Sequence, residues 1–144
     1  MSLRGYIGRS LNLLDETPGH CHKVEIEQPV LTNEQLRKLQ YIDNNHLQAK
    51  TIDITFKASG GPGALKRALD RICLYAKNAV EDDYEILILS DRGVDSDHVA
   101  IPSVLATAAV HHYLIREKLR SSADIILESG DIRETHHFAT VIGY

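Results

Sequence analysis

The sequence predicts an α/β fold, a small open and mostly parallel sheet with helices on its faces, and three observations carry that prediction. Ile86, Leu87, Ile88 and Leu89 are consecutive apolar residues without alternation, the pattern of a strand covered on both faces, which belongs mainly to parallel sheets. Three strand, turn and helix units follow one another from Thr51 to Ile142, and such repetition implies parallel strands joined by crossovers. The chain has 144 residues, enough to bury roughly 70% of its unfolded surface. A complete eight-unit β/α barrel takes ~250 residues, so the chain holds part of such a barrel or a small open sheet.

The elements are expected in this order. Residues 1–30 read as an irregular arm, punctuated by Gly5, Gly8, Pro18, Gly19 and Pro29, in which only Lys23 to Glu27 alternates like a strand. Residues 31–144 form the α/β core. Leu31 to Gln40 opens it as a helix, with Thr32 as cap, Gln35 three residues on to close a capping box, and Leu31 placed to staple against Leu36. Asp43, Asn44 and Asn45 then read as a turn. Thr51 to Phe56 is the first core strand, rich in β-branched residues. The Ser59 to Gly63 loop follows, and Leu65, Leu69, Ile72, Ala76 and Val80 form a helical stripe.

The second unit begins with the Ile86 to Leu89 strand, broken by Ser90, Asp91, Arg92 and Gly93. Its helix is expected to start with Pro102 at the first helical position and to bury Leu105, Ala108, His112, Ile115 and Leu119, with Arg116, Lys118 and Arg120 at the negative end of the dipole. The third unit is Ala123 to Leu127 as strand, Glu128 to Gly130 as turn, and Asp131 as the cap of a helix running through Phe138 and Ile142.

Composition narrows the function. A net charge of -4 and a pI near 6.0, with no basic stripe, argue against nucleic acid or an anionic membrane as partner. No apolar run approaches the ~18 residues a membrane helix needs, and the start shows no secretory pattern. Cys21 and Cys73 are far apart and lack the spacing of a zinc knuckle or disulfide scaffold, which fits a reducing, cytoplasmic setting.

Asp91, Arg92, Asp95, Asp97, Glu128 and Asp131 fall at or just past strand carboxyl ends, where α/β sheets concentrate functional groups. They read either as an acid/base pair or hard-metal site, or as loop-bracing groups in which Arg92 pairs with a carboxylate and Asp131 caps its helix. The second reading is preferred, because no spacing motif singles out a metal. The Gly60 to Gly63 loop lacks the ending of a P-loop and the spacing of a dinucleotide fingerprint, so it reads as a structural turn. The doublets His111-His112 and His136-His137 should diverge by about 100° on a helix, which argues against both rings sharing one metal. His112 is expected in the core.

Five strings stand apart: Gly-Tyr-Ile-Gly (5–8), Asn-Leu-Leu-Asp-Glu-Thr-Pro (12–18), Pro-Val-Leu-Thr-Asn-Glu-Gln-Leu (29–36), Ile-Leu-Ser-Asp-Arg-Gly-Val-Asp (88–95) and Glu-Ser-Gly-Asp-Ile-Arg-Glu-Thr-His-His-Phe-Ala (128–139). With the Ala68 to Ile72 and Ala109 to His112 segments, they resemble the central domain of the glutamate synthase large subunit over nearly the whole chain; the Asp131-Ile132 turn departs from the family's usual wording. The resemblance implies a multidomain iron-sulfur flavoenzyme that transfers the glutamine amide nitrogen to 2-oxoglutarate to form glutamate. Its amidotransferase and FMN domains would be this segment's partners, linked by it, and a lone segment would self-associate. The family's N-terminal cysteine nucleophile and three grouped cluster cysteines have no counterpart here, so no catalytic, cofactor-binding or metal residue is carried over, and FMN and the iron-sulfur cluster are expected elsewhere in the parent enzyme. The rival expectations are a free-standing α/β module that binds a small anion or a protein partner, and a small metal-dependent hydrolase.

Overall fold

A computed structural model describes residues 3–12, 14–44 and 47–144. Its centre is a four-stranded sheet. The described strands are β1 (Gly5–Ile7), β2 (Val24–Ile26), β3 (Asp43–Asn44), β4 (Leu47–Asp53), β5 (Thr55–Lys57), β6 (Ile86–Ser90), β7 (His98–Ala100) and β8 (Asp124–Glu128), and the α-helices are α1 (Asn33–Gln40), α2 (Ala64–Glu81), α3 (Ser103–Arg116) and α4 (Thr135–Ile142). The main sheet has the order β3-β4-β6-β8, with β4, β6 and β8 parallel and β3 antiparallel to β4. The fold is the predicted α/β arrangement, an open and mostly parallel sheet. Because β4, β6 and β8 follow one another across the sheet, their connecting helices α2 and α3 lie on one face.

Strand β6 is buried along its whole length, and its side chains divide the core in two. Leu87 and Leu89 point toward α2 and α3, joining Ile52, Ile54, Ala68, Ile72, Ala76, Val110 and Leu114. Ile86 and Ile88 point the other way, to Ile7, Leu36, Leu39 and Leu47. The period of two in a strand sends neighbours to opposite faces, so an unbroken apolar run serves two compartments at once. The second compartment is roofed by α1 and by the N-terminal arm, in which β1 pairs antiparallel with β2. The arm is therefore ordered by contact with the core, and its Gly5–Ile7 strand carries no signal in the sequence beyond three residues.

Helix α1 forms as its capping box requires. Gln35 N–H donates to Thr32 Oγ1 at 3.2 Å and Thr32 N–H donates to Gln35 Oε1 at 2.8 Å. Leu31 packs on the cluster that holds Leu36. Helix α2 buries Ala68, Ile72, Cys73, Ala76, Ala79 and Val80, while Leu65, expected at the head of the stripe, is exposed in the first turn. Lys77 Nζ reaches Glu117 Oε2 at 2.6 Å and so bridges the end of α2 to the end of α3.

Several expectations are corrected. The strand predicted over Thr51 to Phe56 starts at Leu47 and breaks at Ile54, where the chain leaves the main sheet for an antiparallel ribbon of β5 and β7. Ile54 is fully buried at the junction: its N–H donates to Ser90 O at 3.0 Å and its carbonyl accepts from Ile101 N–H at 2.8 Å. Asp43 and Asn44, read as a turn, pair with β4, and Asn45 lies outside the described residues. Pro102 is the cap of α3, one residue before the first helical position. The buried face of α3 is Ser103, Ala106, Thr107, Val110 and Leu114, so Leu105, His112 and Ile115 of the predicted stripe are exposed, and His112 is no core residue. Helix α4 begins at Thr135 with Glu134 as cap, so Asp131 does not cap it.

Candidate functional site

Parallel register brings the carboxyl ends of three strands level. Asp53 pairs with Ser90 and Ser90 with Glu128, which sets a polar row across the rim where α/β sheets place functional groups. Ser90 Oγ donates to Glu128 Oε2 at 2.7 Å, and Arg92 Nε donates to Glu128 Oε1. The bonded carboxylate beside Arg92 holds its guanidinium above its ordinary value. The turn between β6 and β7 thus rests on the end of β8.

A second set of bonds runs beside the first. Asp91 Oδ2 lies 2.7 Å from Ser129 Oγ and accepts from Gly130 N–H at 2.9 Å, and Asp91 N–H donates to Glu128 O at 3.1 Å. Ser129 Oγ is also 2.6 Å from Asp131 Oδ1. Its single proton can serve one carboxylate at a time. Asp131 Oδ2 accepts from Ser103 N–H at 3.3 Å, so Asp131 caps α3, a helix that precedes it in the chain. Burial pushes the Asp131 carboxyl up, and the bonds from Ser129 and Ser103 outweigh it and hold the group below its ordinary value.

Asp91, Arg92, Glu128 and Asp131 are therefore brought together, and Asp95 is not among them. Asp95 Oδ1 accepts from Asp97 N–H at 2.8 Å and His98 N–H at 2.7 Å and lies 3.0 Å from His98 Nδ1, contacts that keep its carboxyl low and organise the turn into β7. The polar rim borders one end of a groove of about 770 Å³. Tyr6, Leu31, Ile126, Phe138 and Val141 line its apolar walls between the arm, α1, β8 and α4.

Asp53 escaped sequence reasoning. Its carboxylate accepts from Thr55 N–H at 2.8 Å and Thr55 Oγ1 at 3.0 Å, and a Cβ on Gly93 would come within 3.1 Å of Asp53 Oδ1. A side chain there would push the Asp53 carboxylate aside by a few tenths of an ångström. The Ser59 to Gly63 loop holds Gly61 at φ 68° and Gly63 at φ 83°, the left-handed region that glycine tolerates. Arg67 donates to Gly60 O at 2.8 Å and to Pro62 O at 3.4 Å. The Arg67 guanidinium is thus engaged with the loop's own carbonyls and is not offered to an FMN phosphate. Cys21 is exposed in a turn and Cys73 is buried in α2, an arrangement that does not fit an iron-sulfur cluster.

The histidine doublets behave unequally. His111 Nδ1 accepts from Arg120 Nε at 3.0 Å, and burial, Arg120 and His112 together lower its pKa. Neighbouring rings approach at both doublets, with centroids 5.0 Å apart at His111 and His112 and 4.2 Å apart at the second pair, and His136 and His137 also have Glu134 alongside. They occupy the first turn of α4, where the side chains are free of a preceding helical turn.

Fold and rim together define a class: an α/β domain whose rim carboxylates, Arg92 and serines bond to one another across loops. The family described as "Glutamate synthase central domain" matches residues 1–144. The chain belongs to that family. It is 43% identical to "Glutamate synthase (NADH)" of Schizosaccharomyces pombe, a match that covers all of this chain and 7% of that protein. It is 38% identical to "Ferredoxin-dependent glutamate synthase" of Pyropia yezoensis, covering all of this chain and 9% of the relative. Against "Glutamate synthase (NADPH) large chain" of Bacillus subtilis the identity is 36% over 96% of this chain and 9% of the relative. The chain thus spans less than a tenth of the length of these relatives, and the segment is shared by proteins named for three different electron donors. No described helix is long and apolar enough to cross a membrane.

Proposed function

We infer that this chain acts as the non-catalytic central segment of a glutamate synthase, seated between an amidotransferase domain and an FMN domain of the same polypeptide. The parent enzyme would transfer the glutamine amide nitrogen to 2-oxoglutarate to form glutamate, in the cytoplasm, with FMN and an iron-sulfur cluster held by other domains. The observation that carries this reading is the end-to-end family match combined with a rim whose groups are spent on bracing. Arg92 and Ser90 both bond to Glu128, Asp91 bonds to the Ser129-Gly130 turn, and Asp131 holds the start of α3. Groups so engaged hold loops in register and present a fixed surface to neighbours. Asp95 braces the adjacent turn through His98. In this reading Asp91, Arg92, Asp95, Glu128 and Asp131 are loop-bracing residues of an interdomain surface.

The purified chain is expected to bind no FMN and to leave glutamine and 2-oxoglutarate unchanged. Stoichiometric FMN in the purified chain, or turnover of either substrate by it alone, overturns the reading. In the parent enzyme, Glu128→Gln should loosen the turn after β6 and lower glutamate formation per glutamine hydrolysed. An unchanged ratio in that variant removes the rim from any interdomain role.

A further inference from the structure

The geometry points to a transition-metal site at the entrance to α4, formed by Glu134, His136 and His137 and independent of the glutamate synthase reading. One ligand atom from each of the three residues lies within 4.8 Å of the other two. The local backbone explains the convergence. Glu134 stands outside the helix in extended conformation, φ -121° and ψ 155°, so its carboxylate returns over the first turn and comes level with the residue two positions on. Glu134 Oε2 lies 3.4 Å from His136 Nδ1. In a tetrahedral site with metal–ligand bonds of about 2.0–2.1 Å, ligand atoms are about 3.4 Å apart, so this edge already has the required spacing. The remaining separations close by side-chain rotation, which the exposed Glu134 and His136 permit.

Arg133 Nε donates to Gly130 O at 2.9 Å, which ties that guanidinium to the preceding turn. Arg133 N–H donates to His137 Nδ1 at 3.4 Å, which leaves the neutral ring's proton on Nε2, so His137 would offer a metal Nδ1 in place of this long contact. One carboxylate and two imidazoles form a donor set that suits Zn2+, Ni2+ or Cu2+ rather than Mg2+ or Ca2+. Three protein ligands leave a fourth position open to water or to an external donor. The other helical doublet is disqualified by its own contacts, because Arg120 places a cation on His111.

The test is calorimetric titration of the untagged chain with Zn2+, paired with visible absorption on Co2+ substitution, whose intensity reports a four-coordinate centre. One equivalent should bind in the micromolar range, more weakly at acid pH because protons compete for the imidazoles. His136→Ala and Glu134→Gln should each weaken binding about 10–100-fold, with unchanged circular dichroism, while His112→Ala leaves it unaltered. Absence of saturable binding, or full binding that survives His136→Ala combined with His137→Ala, overturns the assignment.

Discussion

Glu85, at the threshold of β6, shows how much a single residue's surroundings decide. Its Oε2 is buried with no hydrogen-bond partner among the described residues. Burial raises the carboxyl above its ordinary value of 4.5, and Arg9, through its charge and its backbone N–H, pulls less strongly the other way. The folded chain therefore holds this proton more tightly than the unfolded chain. The stability linked to it is present below the unfolded value and is lost as pH rises through the raised folded value. A fully buried orphan acceptor costs about 1–3 kcal/mol, and half-burial makes the cost here smaller. Glu85→Gln should accordingly raise the melting temperature at neutral pH by a few degrees at most, with the gain fading as pH falls from the raised folded value toward 4.5. Thermal melts of both proteins across that range check it, and equal melting temperatures at neutral pH refute it. Thiol accessibility offers a second check. Cys73 is buried, and burial raises its pKa, so a thiol reagent should modify exposed Cys21 at once and Cys73 only on unfolding. Candidate-site legibility divides along the same line: Asp91, Arg92, Glu128 and Asp131 stand out as polar residues after apolar strands. Ser90 shows in the sequence only as the break in an apolar run, and it joins Asp53 at the rim only when parallel register sets them in one row.

At the scale of elements, local signals and long-range contacts had different reach. The capping box of α1 involves residues three apart, and sequence alone locates it. Thr32→Ala should cost about 1 kcal/mol, whereas Leu87→Ala, which opens a hole between β6 and two helices, should cost about 2–5 kcal/mol. Chemical denaturation of the two variants measures the contrast, and comparable losses would mean that β6 is no shared wall. Periodicity misleads at α3 because the helix is apolar nearly all round: Val104, Leu105, Ala108, Ala109 and Ile115 compete with Ala106, Val110 and Leu114 for the sheet. Small residues settle the contest by allowing α2 and α3 to approach, a matter of packing that periodicity does not contain. Asp131 departs from its local pattern for a similar reason. A capping pattern points forward along the chain, and the helix it caps lies 28 residues back. The short ribbon strands β5 and β7 have three residues each, too few for alternation to register.

For the whole molecule, the two borders of the main sheet differ. One ends in the two-residue strand β3, and the other in β8, whose outer backbone row has no strand beside it among the described residues. Ile125, Ile126 and Leu127 are half-buried there, and Ile142 and Tyr144 stand exposed nearby. Unpaired edges next to apolar surface pair with other chains. The chain should therefore self-associate as concentration rises, and Ile142→Lys should suppress this without lowering the melting temperature. Light scattering that shows a monomer at every concentration would count against it. The main sheet and the small ribbon meet at Ile54, which gives its N–H to one and its carbonyl toward the other. Amide exchange should then be slowest at Ile54 and Ile101 and faster along the ribbon beyond them, so the Asp95 turn can fray and reclose about a rivet that opens only with the entire domain.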